Sequence, residues 1–285
     1  MDATRDNVTL LGHDLDHPES VFVNPDGTVY AGGEAGQIYR IGPDGEQVQV
    51  GSTGGNLLGL VVDGDGDVHC CDCAQAAVFR VTPTGEVSVR SRGTAERAMR
   101  FPNHPVFDAA GNLYVSDSCS YWQPEGCIFR ITPDDETEVF HAGPFHYPNG
   151  VAIDPSQRWL YVAQSPAWNI VRVPLDRKDG PIEEVFTLPE HTIPDGMFFD
   201  SEGVLLVGCY RPDQVIACHP GGKVEVVIRD RTAELVLAPT NVFPHAGKIY
   251  IANLGGYHIS VVETGMQRGV VHQPSLRSSS SPGEQ

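Results

Sequence analysis

Glu19, Asn103, Asn149 and Asp195 occupy one recurring place in the chain, each five residues before a marker, namely Asn24, Asp108, Asp154 and Asp200. The same count back from Asp63 and His245 reaches Leu58 and Thr240, so five of the six equivalent positions carry a side-chain oxygen. Equivalent positions of a cyclic repeat lie at one height around a common axis, which brings these oxygens toward one point. Two carboxylates neutralise a divalent cation while amide oxygens and water complete its shell, and the lack of Cys in the set favours a hard ion. One divalent cation is therefore expected, Ca2+ first, with Mg2+, Mn2+ or Zn2+ as alternatives. Magnesium demands more regular octahedral geometry, and zinc is usually drawn to His and Cys. Taken singly, Pro148-Asn149-Gly150 and Ile193-Pro194-Asp195-Gly196 read as ordinary turns. Their recurrence at one repeat position makes a site the stronger reading.

A cation in an otherwise apolar channel polarises an ester carbonyl and lowers the pKa of bound water, so lactone hydrolysis needs little beyond the metal, a base and a shaped pocket. Asp195 and His104 are the candidate bases. A carboxylate bound to a cation is a weak base, whereas a histidine with a near-neutral pKa suits the task. Against that, a chain with 11 His places several near any site, and His17 and His146 also fall in loops at the channel mouth. Tyr121 and Trp122 lie in the longest insertion of the third repeat. They are expected either to cover the pocket or to pack as a hairpin tip.

The elements that must position these groups are short strands. Thr28-Val29-Tyr30-Ala31, Asp67-Val68-His69-Cys70, Asn112-Leu113-Tyr114-Val115, Trp159-Leu160-Tyr161-Val162, Val204-Leu205-Leu206-Val207 and Lys248-Ile249-Tyr250-Ile251 are six copies of one apolar segment. Aligning Val29, Val68, Leu113, Leu160, Leu205 and Ile249 gives spacings of 39, 45, 47, 45 and 44 residues, the range of propeller blades. A further strand follows each copy, as in Ile38-Tyr39-Arg40-Ile41 and Ile128-Phe129-Arg130-Ile131, with Pro, Asp and Gly marking the turns. An innermost strand before each copy and an outer one after it make about four per repeat. The fold expected is an all-β six-bladed β-propeller with four antiparallel strands per blade. Val8-Thr9-Leu10-Leu11-Gly12 closes the ring and removes its free edges. Gly59, Gly150 and Gly196 suit a crowded approach at the axis. Residues 1–274 form one domain, and 275–285, which contain the serine run 278–281, form a disordered tail.

Composition bounds the partners. With 19 Lys+Arg against 37 Asp+Glu the formal charge is -18, which offers no footprint for nucleic acid. No stretch approaches the roughly 18 apolar residues of a spanning helix, and Met1-Asp2-Ala3-Thr4-Arg5 lacks the pattern of a secretory signal. A cytoplasmic protein, monomeric or weakly dimeric, acting on a small molecule with neither nucleic acid nor membrane as partner, is the expectation. Seven Cys, an odd number, do not form a disulfide framework. Cys119 and Cys127 flank a hairpin tip and could face each other. Cys70-Cys71-Asp72-Cys73 lacks the second ligand pair of a structural zinc site.

At these residues the chain resembles the family named for gluconolactonase, senescence marker protein (regucalcin) and luciferin-regenerating enzyme. The resemblance spans essentially residues 7–272. It is carried by Pro18-Glu19, Arg100-Phe101-Pro102-Asn103, Tyr147-Pro148-Asn149-Gly150, Pro194-Asp195-Gly196, Thr240-Asn241 and Ala252-Asn253-Leu254-Gly255. It implies that Glu19, Asn149 and Asp195 are metal ligands, that Asn103 reaches substrate or water at the metal, that Asp195 doubles as base and that Arg100 contacts substrate. Three departures stand out: Ser20 where many members have Gly, His104 where an acid is common, and Arg100 one residue further from Asn103 than in regucalcin. The activity implied is opening of a lactone or related cyclic ester of a small polar, sugar-like acid. A phosphotriesterase-like activity is an alternative. A binding propeller with NHL-type repeats is another, but it needs no axial acids. A strictosidine-synthase-like enzyme needs a last-blade glutamate, and Thr240-Asn241-Val242 offers none.

Overall fold

Turn chemistry and apolar alternation build six sheets. The computed structural model describes residues 1–277, and its 24 strands form six four-stranded antiparallel sheets, with no helix among the described residues. The innermost strands of blades 1 to 6 are Val21–Val23, Leu57–Val62, Pro102–Phe107, Pro148–Ile153, Ile193–Phe199 and Pro239–His245. Each pairs with a second strand: Val29–Gly32, Val68–Asp72, Leu113–Asp117, Trp159–Gln164, Leu205–Arg211 and Lys248–Asn253. Gly27 and Gly66 supply the positive φ that the tight hairpins between these strands require, at +87° and +81°.

Ring closure follows the expected route. Val8–Leu11 is the outermost strand of blade 6, with Val8 opposite Val262 and Leu11 opposite Ile259. An N-terminal strand thus completes the last sheet, and no blade is left with three strands.

Adjacent inner strands pack backbone to backbone. A Cβ on Gly59 would lie 2.7 Å from Asn103 O, and one on Gly150 would lie 2.7 Å from Gly196 Cα. Larger residues would push the blades apart. Val21, Leu60, Val151 and Met197 line the axis below this level, with Phe22, Phe107, Phe198 and Phe243 around them.

The far end of the axis is covered by the chain after the last strand. Gly269 N donates to Phe199 O (3.1 Å) in blade 5, and Gly64 N in blade 2 donates to Pro274 O (2.9 Å), so the segment crosses the axis between them. Val270, Val271 and His272 floor the apolar cavity there. The tail expected from residue 275 does not begin at that point. Leu276 N and Arg277 N both donate to Asp65 Oδ2 at 2.8 Å, which ties them to blade 2. The rest of the expected tail, 278–285, lies outside the described residues.

Among the described residues all seven cysteines are free. Cys119 Sγ lies 3.5 Å from Asp117 Oδ1 while Cys127 is wholly buried, and Cys70 and Cys71 are core residues.

Candidate functional site

Five of the six residues at the shared repeat position sit in one kind of local backbone device, Glu19 being the exception. In blades 2 to 6 the inner strand gains one residue on its partner, between Leu57 and Leu60, Pro102 and Pro105, Pro148 and Val151, Pro194 and Met197, and Pro239 and Asn241. Leu58, Asn103, Asn149, Asp195 and Thr240 each sit inside such a bulge. A bulge releases a residue from the ladder and re-aims its side chain. Proline precedes the ring residue in five blades, at Pro18, Pro102, Pro148, Pro194 and Pro239, where no ladder donor is lost by it.

In blades 3, 4 and 6 the second strand braces the approach. Asp117 accepts from Arg100 N (2.9 Å) and Phe101 N (2.7 Å), Gln164 Oε1 from His146 N (2.8 Å), and Asn253 Oδ1 from Leu237 N (3.0 Å). These side chains fix the backbone two or three residues ahead of Asn103, Asn149 and Thr240.

The bulges of blades 3 to 5, with Glu19 just ahead of the inner strand of blade 1, bring Glu19, Asn103, Asn149 and Asp195 to the floor of one cavity of about 350 Å³. All four are less than a tenth exposed. Leu58, Phe101, Tyr121, Tyr147, Ile193, Tyr210 and Leu254 form apolar and aromatic walls, while Glu34, Asn56 and Ser165 add polar groups. Glu19 Oε2 and Asn149 Oδ1 are buried with no hydrogen-bond partner. Orphaned buried acceptors are costly, and two beside Asp195 form an oxygen-only donor set that fits a hard divalent cation.

Electrostatics point the same way. In the cation-free chain burial pushes the Asp195 carboxyl up to about 8, although the Asn149 amide and Gly196 N–H partly stabilise its charge. Burial first, then the charges of Asp195 and Glu34, raise Glu19 well above the usual carboxylate range. Two buried acids brought this close favour either a shared proton or a cation.

Other expected site residues lie elsewhere. His104 lines the lower apolar cavity with Val151, Met197 and His272, not the cavity above. Burial lowers its pKa to about 4, so its ring is neutral and a poor base near neutrality. Arg100 is 58% exposed in its side chain and pairs with Glu125 (2.7 Å), so it does not line the site. Trp122 is 84% exposed, whereas Tyr121 turns inward and meets Tyr147 edge to face, with centroids 5.1 Å apart. Thr240 is buried, but its hydroxyl donates to Glu19 O (2.7 Å) and locks blade 6 to blade 1. At the rim, His17 Nδ1 is 3.2 Å from Asp16 Oδ1 and 3.3 Å from Glu34 Oε2.

Four wall and rim residues to which the sequence analysis gave no role obey the repeat as well. Five residues on from Val29, Leu160, Leu205 and Ile249 stand Glu34, Ser165, Tyr210 and Leu254. The sixfold repeat therefore carries a second ring.

A family model described as the SMP-30/Gluconolactonase/LRE-like region matches residues 35–252, and a strictosidine synthase-like N-terminal model matches 6–41. A lactonase drp35 from Staphylococcus aureus is 23% identical over 237 residues, 76% of this chain and 72% of the relative. Among solved structures, a gluconolactonase from Xanthomonas campestris superposes with a TM-score of 0.77 at 17% identity, covering 90% of this chain and 89% of that one. A calcium-binding regucalcin from Agrobacterium tumefaciens gives 0.74 at 15%, covering 94% and 98%. At these identities the structural likeness shows the fold alone.

Proposed function

The chain belongs to the SMP-30/gluconolactonase/LRE-like family, and from that premise we propose that it is a metal-dependent hydrolase that opens a lactone or related cyclic ester. The observation that carries this reading is the pair of orphaned acceptors, Glu19 Oε2 and Asn149 Oδ1, beside buried Asp195. Glu19, Asn149 and Asp195 would hold the cation, and calcium suits an all-oxygen set. The calcium-binding regucalcin and the lactonase and gluconolactonase relatives support the choice of ion and reaction. Bound there, the cation supplies Lewis acidity toward an ester carbonyl and lowers the pKa of water.

The chain's own groups divide the remaining work. Of the two carboxyls at the floor, Glu19 and Asp195, Asp195 would take up the proton from water and return it to the leaving alkoxide. Asn103 commits its NH2 to Ser118 (3.1 Å), which leaves its carbonyl oxygen to accept from substrate or water. Tyr121, Tyr147 and Phe101 exclude water along one wall. Glu34 and Asn56 offer partners to the hydroxyls of a small polar acid, and the aromatic rings offer a face to its ring. No helix among the described residues is long and apolar enough to cross a membrane. We place the protein in the cytoplasm, as a monomer or weak dimer acting on a small molecule.

The test is metal analysis of purified protein with proton release from a lactone panel, before and after chelation and in Asp195→Ala. Stoichiometric metal with chelator-sensitive turnover, lost in the variant, is the expected result. Bound metal without turnover on any lactone would redirect the reaction class, and no bound metal would remove the site.

A further inference from the structure

Five residues on from the aligned second-strand positions, the six blades carry Glu34, Cys73, Ser118, Ser165, Tyr210 and Leu254. Serine stands in this ring only on blades 3 and 4, the two blades whose floor residue is asparagine. Both serines are buried, at 0% and 1% exposure.

Their bonds repeat from one blade to the next. Asn103 Nδ2 donates to Ser118 Oγ (3.1 Å), and Ser118 Oγ donates to Pro148 O (2.8 Å). Asn149 Nδ2 donates to Ser165 Oγ (3.2 Å), and Ser165 Oγ donates to Pro194 O (2.7 Å). A backbone carbonyl can only accept, so each serine proton is committed to it. The serine oxygen must then accept, and only the NH2 side of an asparagine can give it a proton. This polarity fixes which way each amide faces, a choice that shape alone leaves open. It turns the Asn149 oxygen, buried and unpartnered, away from Ser165. The two carbonyls also immediately precede Asn149 and Asp195, so one chain of bonds links the floor residues of three consecutive blades.

We propose that Ser118 and Ser165 are positioning residues, Ser165 presenting the Asn149 oxygen to the cation and Ser118 presenting the Asn103 oxygen to substrate. The proposal rests on the cation site inferred above. Without Ser165 the Asn149 amide loses the acceptor that fixes its polarity, and a rotamer with its NH2 toward the cation, which that dipole repels, becomes accessible. Groups that orient a ligand commonly change metal affinity about 10–100-fold when removed.

Calorimetric titration with calcium alone tests it on the full chain, with no substrate involved. Ser165→Ala should weaken calcium binding about 10–100-fold, while Ser165→Thr, which keeps the hydroxyl, should restore it to within a few-fold of the parent. Ser165→Cys keeps the volume with a weak acceptor and should lose affinity too, which keeps the proposal testable should the alanine variant not fold. If the parent binds no calcium, the cation site and this inference fall together. If the parent binds and the Ala and Cys variants bind equally well, or threonine recovers nothing, the inference alone falls.

Discussion

Arg100 Nη1 lies 2.7 Å from Glu125 Oε2, and the pair faces solvent instead of the cavity. The cause is local. Asp117 pins the backbone N–H of both Arg100 and Phe101, and Phe101 takes the inward direction. An exposed pair of this kind contributes about 0–1 kcal/mol. Arg100→Ala should therefore change kcat/KM on a lactone less than about threefold and barely move the Tm. A loss of thirtyfold would show that the guanidinium swings over the substrate.

Tyr121 and Trp122 are neighbours with different assignments. Tyr121 lies between Trp122 and Tyr147, with centroid separations of 5.2 and 5.1 Å, and lines the cavity, while Trp122 is solvent-exposed. An aromatic wall acts through buried area, and each edge contact adds about 0.5–1.5 kcal/mol. Tyr121→Ala should raise KM about tenfold with kcat nearly held, a change on the order of 1.4 kcal/mol. Trp122→Ala should leave both constants near the parent values. Steady-state kinetics on the two variants decides between a wall and a lid, because a tryptophan that closes over substrate would raise KM as well.

The fold was legible because repetition multiplies weak signals. No single Pro-Asp-Gly turn implies a propeller, but six aligned strands do, and Val8–Leu11 supplied the closing strand. The floor of the site was legible for the same reason, since Glu19, Asn103, Asn149 and Asp195 share a repeat position. Side-chain direction was not. His104 follows Asn103 directly, and one step along a strand turns a side chain to a different neighbourhood. Arg100 lies outside the strand, where Asp117 decides its course. Ser118 and Ser165 were within reach through the second ring, but a serine in a turn gives no sign of its partner until the next blade is in place.

The acids at the floor set a pH dependence with a definite sign. Asp195 in the folded, cation-free chain titrates at about 8, and Glu19 is also raised. An unfolded aspartate releases its proton near pH 4, so between about 4 and 8 the folded chain holds a proton that the unfolded one has lost. Stability of the chelated protein should fall as pH rises through that window. A cation replaces the proton, so the Tm gain from calcium should grow from pH 5 to pH 8. Calcium binding at pH 7 should release about one proton, read by calorimetry in buffers of different ionisation enthalpy. A calcium affinity that stays constant from pH 6 to pH 8 would contradict the linkage.

His104 separates two accounts of the base. If it took the proton, its substitution would abolish turnover, since a general base contributes about 10²–10⁴-fold. The ring instead lines the cavity below the floor and burial holds its pKa near 4, while the backbone N–H of His104 donates to Ser116 Oγ (3.0 Å). A group protonated only below about pH 4 has no titration near neutrality to contribute to a pH–rate profile. His104→Gln should therefore keep kcat within about threefold and reproduce the parent profile from pH 6 to 9. The cost should fall on stability, about 1–3 kcal/mol for a misfit polar group in a buried cavity, measured by denaturant titration. Asp195→Asn should do the reverse, abolishing turnover while the chelated variant outlasts the parent by a margin that grows as pH rises from about 4 to 8, because an amide folds without the proton uptake that costs the parent stability in that window.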